Sequence, residues 1–416
     1  MALEGVLRGA LAGVDLGDGF HVLPGQGNAL AAETDAGVVL VDAGSVRAAP
    51  SMIEHLRSVS SAPVHAICYS HGHIGYNAAV GTWLAHASER GEPPPRLVAH
   101  ENLPRRYARY RETLHLQARM AAVQFPSREG APWERMLEAF QMTDPGEVFA
   151  DALLVVDGDR RVEARWAPSE TDDAIALWFP DDGLLYGGAA TPGDAIPNIG
   201  TPLRTQRFTV RWADTLERLA ALGATTLVTE FGPVVRGEAV VHERLARTAE
   251  ALRWLREAVV ERMNRGMSEA EVLADLEYPP DLFEQPWMTP NYGCPDYIAR
   301  DLYREENGWW DRNPTTLHPA APDAAAEALR SVVDPAAVLD RARDLADAGE
   351  AQLALHVVDL LALVPGDAPE VVAARALKAE LCRTRAGEVL PYVSRALYRS
   401  SARLLDGGAT SWRDLA

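Results

Sequence analysis

The chain has 416 residues, 47% of them apolar and 24% charged, a soluble globular balance with room for two or three domains and a full hydrophobic core. Its formal net charge of −19 argues against a nucleic-acid footprint and against docking on anionic lipid. Three widely spaced cysteines, Cys68, Cys294 and Cys382, fit a reducing compartment better than a disulfide framework.

The N-terminal Met1–Gly5 lacks the basic start of a secretory leader, and no stretch approaches the ~20 apolar residues of a membrane span. A soluble, cytoplasmic protein is expected. Over the first 236 residues short apolar runs alternate with helical periods, the pattern of a layered α/β domain. Residues 37–44 read as a buried strand ending in a turn at Asp42-Ala43-Gly44, followed by a helix over 50–59. The next strand, 64–69, runs directly into Ser70-His71-Gly72-His73. A His-x-His pair at a strand end turns both imidazoles towards one ion, because side chains i and i+2 share a face of an extended chain. Helical patterns follow over 78–88 and, as one element, over 103–124. The basic run from Arg105 to Arg111 in the latter reads as a solvated face. His100-Glu101-Asn102 either lines a pocket or packs in the core. Strands are predicted at 153–156 and 161–166 around Asp157-Gly158-Asp159, at 174–179 and 184–186, and at 227–229 before Phe231-Gly232-Pro233.

Beyond Gly237 helical periodicity dominates. Ser268-Glu269-Ala270-Glu271 is a capping-box start, and Asp334-Pro335 an N-cap followed by proline at the first helical position. The Pro/Trp/Asn-rich segment 309–314 reads as a hinge. Ala/Leu-rich helices punctuated by Gly349, Gly366 and Gly387 resemble helical hairpins, which favour packing or self-association over chemistry. The expected division is 1–236, 237–318 as a helical extension and hinge, and 319–416.

Several segments, taken in order, resemble the metallo-β-lactamase superfamily and within it the alkyl-sulfatase-related branch. They are Asp42-Ala43-Gly44, His71-Gly72-His73, residues 168–174 and 197–202, Tyr292-Gly293, residues 308–314 and the C-terminal helices. The resemblance implies an αββα sandwich followed by an all-α helical-hairpin dimerisation region, and hence a homodimer. The sterol-carrier-like third domain of full alkyl sulfatases is not expected here. Carried over position by position, His71, His73 and Glu170 match the ligands of the family's first metal site. The ligands of its second site are replaced: Gly75 and Tyr76 stand for the Asp and His after His-x-His, Ala189 for the bridging carboxylate, and Phe231 for the last His.

The resemblance therefore implies one divalent ion on two histidines and a carboxylate. Zn2+ is the preferred ion and would support hydrolysis or Lewis-acid lyase chemistry. Fe2+ is the alternative, since the same donor set suits non-haem oxygen chemistry. A metal-free binding protein on an inherited scaffold is the third reading. Asn198 and Arg204 fall near the positions where the branch holds sulfate, with Arg207 as an alternative to Arg204, so a small, anionic, ester-type substrate is expected. Asp172 and Asp173 are candidates to orient a ligand or accept a proton. Tyr76 is a candidate acid or hydrogen-bond donor; otherwise Tyr76 and Phe231 fill the vacated site as an apolar wall. Glu230 is a further candidate for altered chemistry, and Asp42 is expected to bond backbone near the histidine loop.

Overall fold

The computed structural model describes residues 13–125, 134, 136–137 and 140–409; the N-terminal segment where no leader is expected lies outside these. Two sheets form the centre of the first compact unit, which spans Met1–Leu114 and Leu137–Glu306. Among the described residues one sheet runs in the order β1 (Val14–Gly17), β2 (Phe20–Pro24), β3 (Asn28–Thr34), β4 (Gly37–Val41), β5 (Val64–Cys68), β6 (Arg96–His100), β7 (Glu147–Phe149). Its first four strands are antiparallel neighbours, and β4 to β7 are parallel. The other sheet holds β8 (Ala152–Val156), β9 (Val162–Trp166), β10 (Ile175–Phe179), β11 (Leu184–Gly188), β12 (Thr226–Thr229) and β13 (Val235–Arg236), paired in sequence.

The alternation of side chains shows why these strands stack in layers. In β4, Val39 and Val41 enter the core between the sheets, while Val38 and Leu40 enter the core under the helices. In β10, Ile175, Leu177 and Phe179 face the inter-sheet core, and Ala176 and Trp178 face outward to a third cluster. Strands apolar on both faces need cover on both faces. On the first sheet α1 (Ala49–Val59), α2 (Val80–Glu89) and α3 (Leu103–Glu112) supply it through Met52, Leu56, Trp83, Leu103 and Tyr107. On the second sheet α5 (Thr209–Ala220) and the long α6 (Glu238–Asn264) do so through Trp212, Leu216, Leu245 and Leu252. The αββα sandwich expected from the sequence is thus the fold observed.

The single helix expected over 103–124 is two, α3 and α4 (Leu114–Gln124). The break falls at Thr113, whose Oγ1 turns back 2.8 Å to the Arg109 carbonyl, the local competition with backbone bonding that β-branched hydroxyl residues introduce. The first unit continues through α7 (Glu269–Asp275), α8 (Pro280–Phe283) and α9 (Pro295–Asn307). The capping box at Ser268 and Glu271 is present at the start of α7.

The second unit spans His115–Met136 and Asn307–Ala416. It carries α10 (Pro314–Leu317), α11 (Pro322–Arg330), α12 (Pro335–Asp347), α13 (Ala351–Ala362), α14 (Pro369–Glu388) and α15 (Tyr392–Asp406). Successive helices from α12 to α15 pack on one another around Ala342, Leu345, Val358, Leu361 and Leu381. Asp334 caps α12 through the Ala336 N–H. The last carbonyls of α4, left without helical donors, are met from α15: Tyr392 Oη donates to Gln124 at 3.1 Å and Ser400 Oγ to Val123 at 2.7 Å. Among the described residues no helix is long and apolar enough to cross a membrane.

Candidate metal centre

The site lies at the C-terminal ends of β4 and β5, and its foundation is Asp42. This residue has φ +63°, a left-handed backbone that a non-glycine residue adopts only when its surroundings impose it. Those surroundings are four donors. Asp42 Oδ1 accepts from the Ser70 N–H and Asn77 Nδ2, both at 2.8 Å, while Oδ2 accepts from Ser70 Oγ at 2.5 Å and Tyr186 Oη at 3.4 Å. Burial raises the Asp42 carboxyl to about 6 in spite of those hydrogen bonds. The expected bonding of Asp42 to the histidine loop is therefore what the structure contains.

Ser70 gives its one proton to Asp42, so it accepts from His71 Nδ1, 2.9 Å away. That relay leaves the lone pair of fully buried His71 on Nε2. His71 Nε2 faces His73 Nδ1 at 2.9 Å, and His73 Nδ1 lies 3.5 Å from Glu170 Oε2. One donor atom from each of His71, His73 and Glu170 falls within 4.8 Å of the others. Burial, followed by the neighbouring His73, drives His71 down to about 3, and burial lowers His73 also. Both rings are thus neutral at neutral pH, the form a metal requires. Two imidazole nitrogens and a carboxylate oxygen on a shared centre are a donor set that fits Zn2+ or Fe2+.

The histidine loop is clamped from the second sheet. Gly72 N–H donates to Asp173 Oδ2 at 2.6 Å, and a Cβ on Gly72 would stand 2.7 Å from that oxygen and 2.8 Å from Arg106 Cδ. Arg106 Nε donates to Asp173 Oδ1 at 2.5 Å, and its Nη2 pairs with Asp172. Burial would raise Asp173, but Arg106 and His71 bring it below its ordinary value. Asp172 is the more exposed of the two acids, and its carbonyl accepts from Trp166 Nε1 at 2.8 Å. The reading of the Arg105–Arg111 run as a solvated face is corrected at Arg106, whose side chain is only 12% exposed. Leu103, Tyr107 and Tyr110 mark the buried face of α3, and Arg106 lies at its border, where two adjacent acids need a cation. His100 belongs to the packing, its Nε2 2.7 Å from the Ala150 carbonyl and its ring stacked on Trp166.

Glu170 is held from the loop before α5. Its Oε1 accepts from Asn198 Nδ2 at 2.5 Å and from Arg207 Nη1 at 2.8 Å. Burial pushes this carboxyl up, yet Arg207 and the two histidines bring it well below the usual range. Asn198 Oδ1 in turn accepts from Thr201 Oγ1. Arg204 has no carboxylate partner among the described residues; it hydrogen-bonds the Tyr292 hydroxyl. The structure therefore brings Asn198 and Arg207 onto Glu170 and leaves the Arg204 guanidinium uncommitted to a charge.

The apolar wall expected from Tyr76 and Phe231 is corrected. Tyr76 packs its ring 4.3 Å from that of His71, but its hydroxyl donates to Glu230. Glu230, not Phe231, is the buried side chain turned towards the histidines, with Oε1 4.0 Å from His71 Nε2. The Phe231 ring lies against Gly27 instead. The turn after β12 places consecutive side chains on opposite sides, so a one-residue shift decides which of the two enters the site.

The comparisons bear on the family and the fold. The chain matches the metallo-beta-lactamase superfamily over residues 22–230 and alkyl sulfatase dimerisation over residues 268–408. It belongs to the metallo-beta-lactamase superfamily, with an alkyl sulfatase dimerisation region behind that domain. A linear primary-alkylsulfatase of Pseudomonas sp. is 27% identical over 320 residues, 71% of this chain and 59% of that protein. An alkyl/aryl-sulfatase of Saccharomyces cerevisiae is 27% identical over 156 residues, 36% of this chain and 24% of that protein. The solved stereoselective inverting sec-alkylsulfatase Pisa1 from Pseudomonas sp. superposes with a TM-score of 0.81 at 19% identity, covering 96% of this chain and 66% of that one. That likeness is one of fold, and the chain spans less than two thirds of each of these three proteins.

Proposed function

We propose that the chain is a metal-dependent hydrolase of small anionic esters, sulfate esters first among them, working with a single divalent ion on His71, His73 and Glu170. The observation that carries this reading is the convergence of three donors, one buried and two half-buried, with the His71 tautomer already fixed by Asp42 and Ser70. Bound there, Zn2+ supplies Lewis acidity and brings the pKa of a water to about 7. Asp173 and Arg106 hold the histidine loop, and Asn198 and Arg207 hold Glu170. Arg204, with its forked donors, takes the anionic group of the substrate. Tyr76 packs its ring beside His71 and gives its hydroxyl proton to Glu230.

A single ion is supported by the positions that would serve a second. Gly75 has φ +99°, a glycine backbone that disfavours a carboxylate residue there, and Ala189 is buried with no donor. The donor set equally favours Fe2+, and that second reading makes the chain an oxygen-using enzyme. The match to alkyl sulfatase dimerisation supports a homodimer, and three free thiols suit the cytoplasm.

The test is elemental analysis of protein purified without added metal, beside His73→Ala, together with release of inorganic sulfate from primary and secondary alkyl sulfates. One zinc per chain, lost in the variant along with sulfate release, is the expected result. One iron per chain with substrate-dependent oxygen uptake selects the second reading. Two ions per chain, or none after reconstitution, overturns both.

A further inference from the structure

A cavity of about 410 Å3, lined by none of the metal-site donors, opens in the first unit where the start of β8 and the end of β9 meet α5. Small-molecule sites span roughly 300–1,000 Å3 and combine an apolar lining with a few polar groups. Here Trp166, Leu219 and Leu222 are the apolar lining, and Asp151, Arg165 and Arg218 bring the charges. The two arginines differ. Arg165 Nη2 is paired with Glu163 at 2.5 Å. Arg218 Nη2 donates to Thr215 Oγ1 at 3.0 Å, and among the described residues it has no carboxylate partner. A forked cation without a counter-charge, beside an apolar wall, suits one anionic head with a short apolar tail. Asp151 repels a second anionic group.

The same cavity shares its walls with the loop that carries Glu170. Thr215 Oγ1, which accepts from Arg218, donates to the Pro168 carbonyl at 2.7 Å, and Trp166 Nε1 donates to the Asp172 carbonyl at 2.8 Å. Pro168 and Asp172 stand two residues to either side of Glu170, and the Ala167 N–H closes the loop on the Ala174 carbonyl at 2.9 Å. Linked hydrogen bonds strengthen one another. An anion that draws Arg218 away from Thr215 therefore weakens the bond that Thr215 makes to this loop.

We propose that this cavity binds a short-chain amphipathic anion, its carboxylate or sulfate head on Arg218 and its alkyl tail along Trp166, Leu219 and Leu222, and that the occupant loosens the Glu170 loop through Thr215. The link to Glu170 rests on that residue being a metal ligand; the binding itself does not. Coupling between two sites is reciprocal, so the anion weakens the ion at the metal centre and the ion weakens the anion.

Calorimetric titration of the ion-free full chain with hexanoate and with hexyl sulfate, a carboxylate and a sulfate of equal chain length, tests the site. One molecule per chain is expected in wild type and equally in Arg204→Ala. Binding should be about 10-fold weaker or more in Arg218→Ala, which loses a hydrogen bond to a charged group. Arg218→Lys keeps the charge and should lose less. Tighter hexanoate binding assigns the head to a carboxylate and tighter hexyl sulfate binding to a sulfate; either result supports the site. Binding of neither anion, or equal binding in Arg218→Ala, overturns it. Binding lost in Arg204→Ala instead puts the anion at the metal centre and also overturns it. Chelator competition for Zn2+, with and without hexanoate, tests the link. Roughly 5-fold weaker Zn2+ binding or more is expected with hexanoate present, and no such effect in Thr215→Val, which should still bind hexanoate. Unchanged Zn2+ affinity in a wild type that binds hexanoate overturns the link. A wild type that binds hexanoate but no Zn2+ overturns the metal-centre reading and the link with it, and leaves the anion site standing.

Discussion

Arg207 Nη1 lies 2.8 Å from Glu170 Oε1, with the two side chains only 5% and 9% exposed. The same nitrogen donates to the Asn198 carbonyl, and the Arg207 N–H donates to Asp301 Oδ2 at 3.1 Å. A buried ion pair is favourable only when its remaining donors and acceptors are met, and here they are met by fixed groups. The pair keeps Glu170 ionised and aimed at His73 before any ion arrives. This is preorganisation of a ligand by its own counter-charge.

Removing that counter-charge should be costly. Arg207→Met leaves a buried carboxylate without its partner, and the ion-free protein is expected to lose about 3–5 kcal/mol of stability. Added Zn2+ should return part of the loss, because the ion replaces the missing positive charge. Arg207→Lys should lose less, keeping the charge but not the forked donors. Urea denaturation with and without Zn2+ checks this; an ion-free Arg207→Met protein as stable as wild type would contradict it.

Asp42 makes a pH prediction of opposite sign to the usual acidic group. Its folded value, about 6, lies above its ordinary 3.8, so the folded state holds the proton more tightly than the unfolded chain. The associated stability is fully present below pH ~3.8 and lost as pH rises through about 6. A rise of this size corresponds to about 3 kcal/mol. Asp42→Asn has no proton to titrate. The stability of ion-free wild type minus that of Asp42→Asn should therefore fall by about 2.4 kcal/mol between pH 4 and pH 7. A difference independent of pH across that interval would show that Asp42 is not the group described.

The central strands were legible because strands buried on both faces are continuous apolar runs. Strands β4, β5, β10 and β11 carry apolar side chains on both faces, and their boundaries fall within two residues of expectation. His71, His73 and Glu170 were legible because the spacing and order of their motifs are local properties of the chain. The partners that tune them were not, since they come from distant elements. Arg106 looks like any residue of a basic helix until Asp172 and Asp173 are placed opposite it across 66 and 67 residues. Glu230 and Phe231 are adjacent, and which one enters the site depends on the strand register that closes β12 on β11. Sequence spacing counts residues; it does not carry that register.

Gly72 separates the two histidines, and its lack of a side chain is a requirement of the clamp. A Cβ there would sit 2.7 Å from Asp173 Oδ2 and 2.8 Å from Arg106 Cδ. Gly72→Ala must push Asp173 off the Gly72 N–H, leaving a buried donor unmet at a cost of about 1–3 kcal/mol. It should also loosen Zn2+ binding, since His73 follows directly on that backbone. Denaturation and chelator competition on the same preparation check both. Wild-type Zn2+ affinity in a destabilised Gly72→Ala protein would show that the clamp serves the fold and not the ligands.

Arg204 and Arg207 stand three residues apart, and the structure divides their labour. Arg207 is spent on Glu170, whereas Arg204 meets the hydroxyl of Tyr292, a phenol that burial raises to about 12 and that therefore stays neutral. A neutral partner leaves the Arg204 charge available to an incoming anion. Charge-assisted hydrogen bonds of this kind contribute about 1.5–3 kcal/mol, so Arg204→Ala should lower kcat/KM for a sulfate ester by roughly 10–150-fold. The loss should lie mainly in KM, with Zn2+ content unchanged. Tyr292→Phe should cost less, as it removes a positioning contact and not the charge. Arg207→Met should show the reverse split, keeping the ion when Zn2+ is supplied but losing kcat as Glu170 loses its fixed orientation. Steady-state kinetics on the three variants, with metal content measured in each, separates the roles. Loss of bound ion in Arg204→Ala would return that residue to the ligand scaffold and leave the substrate anion without its assigned partner.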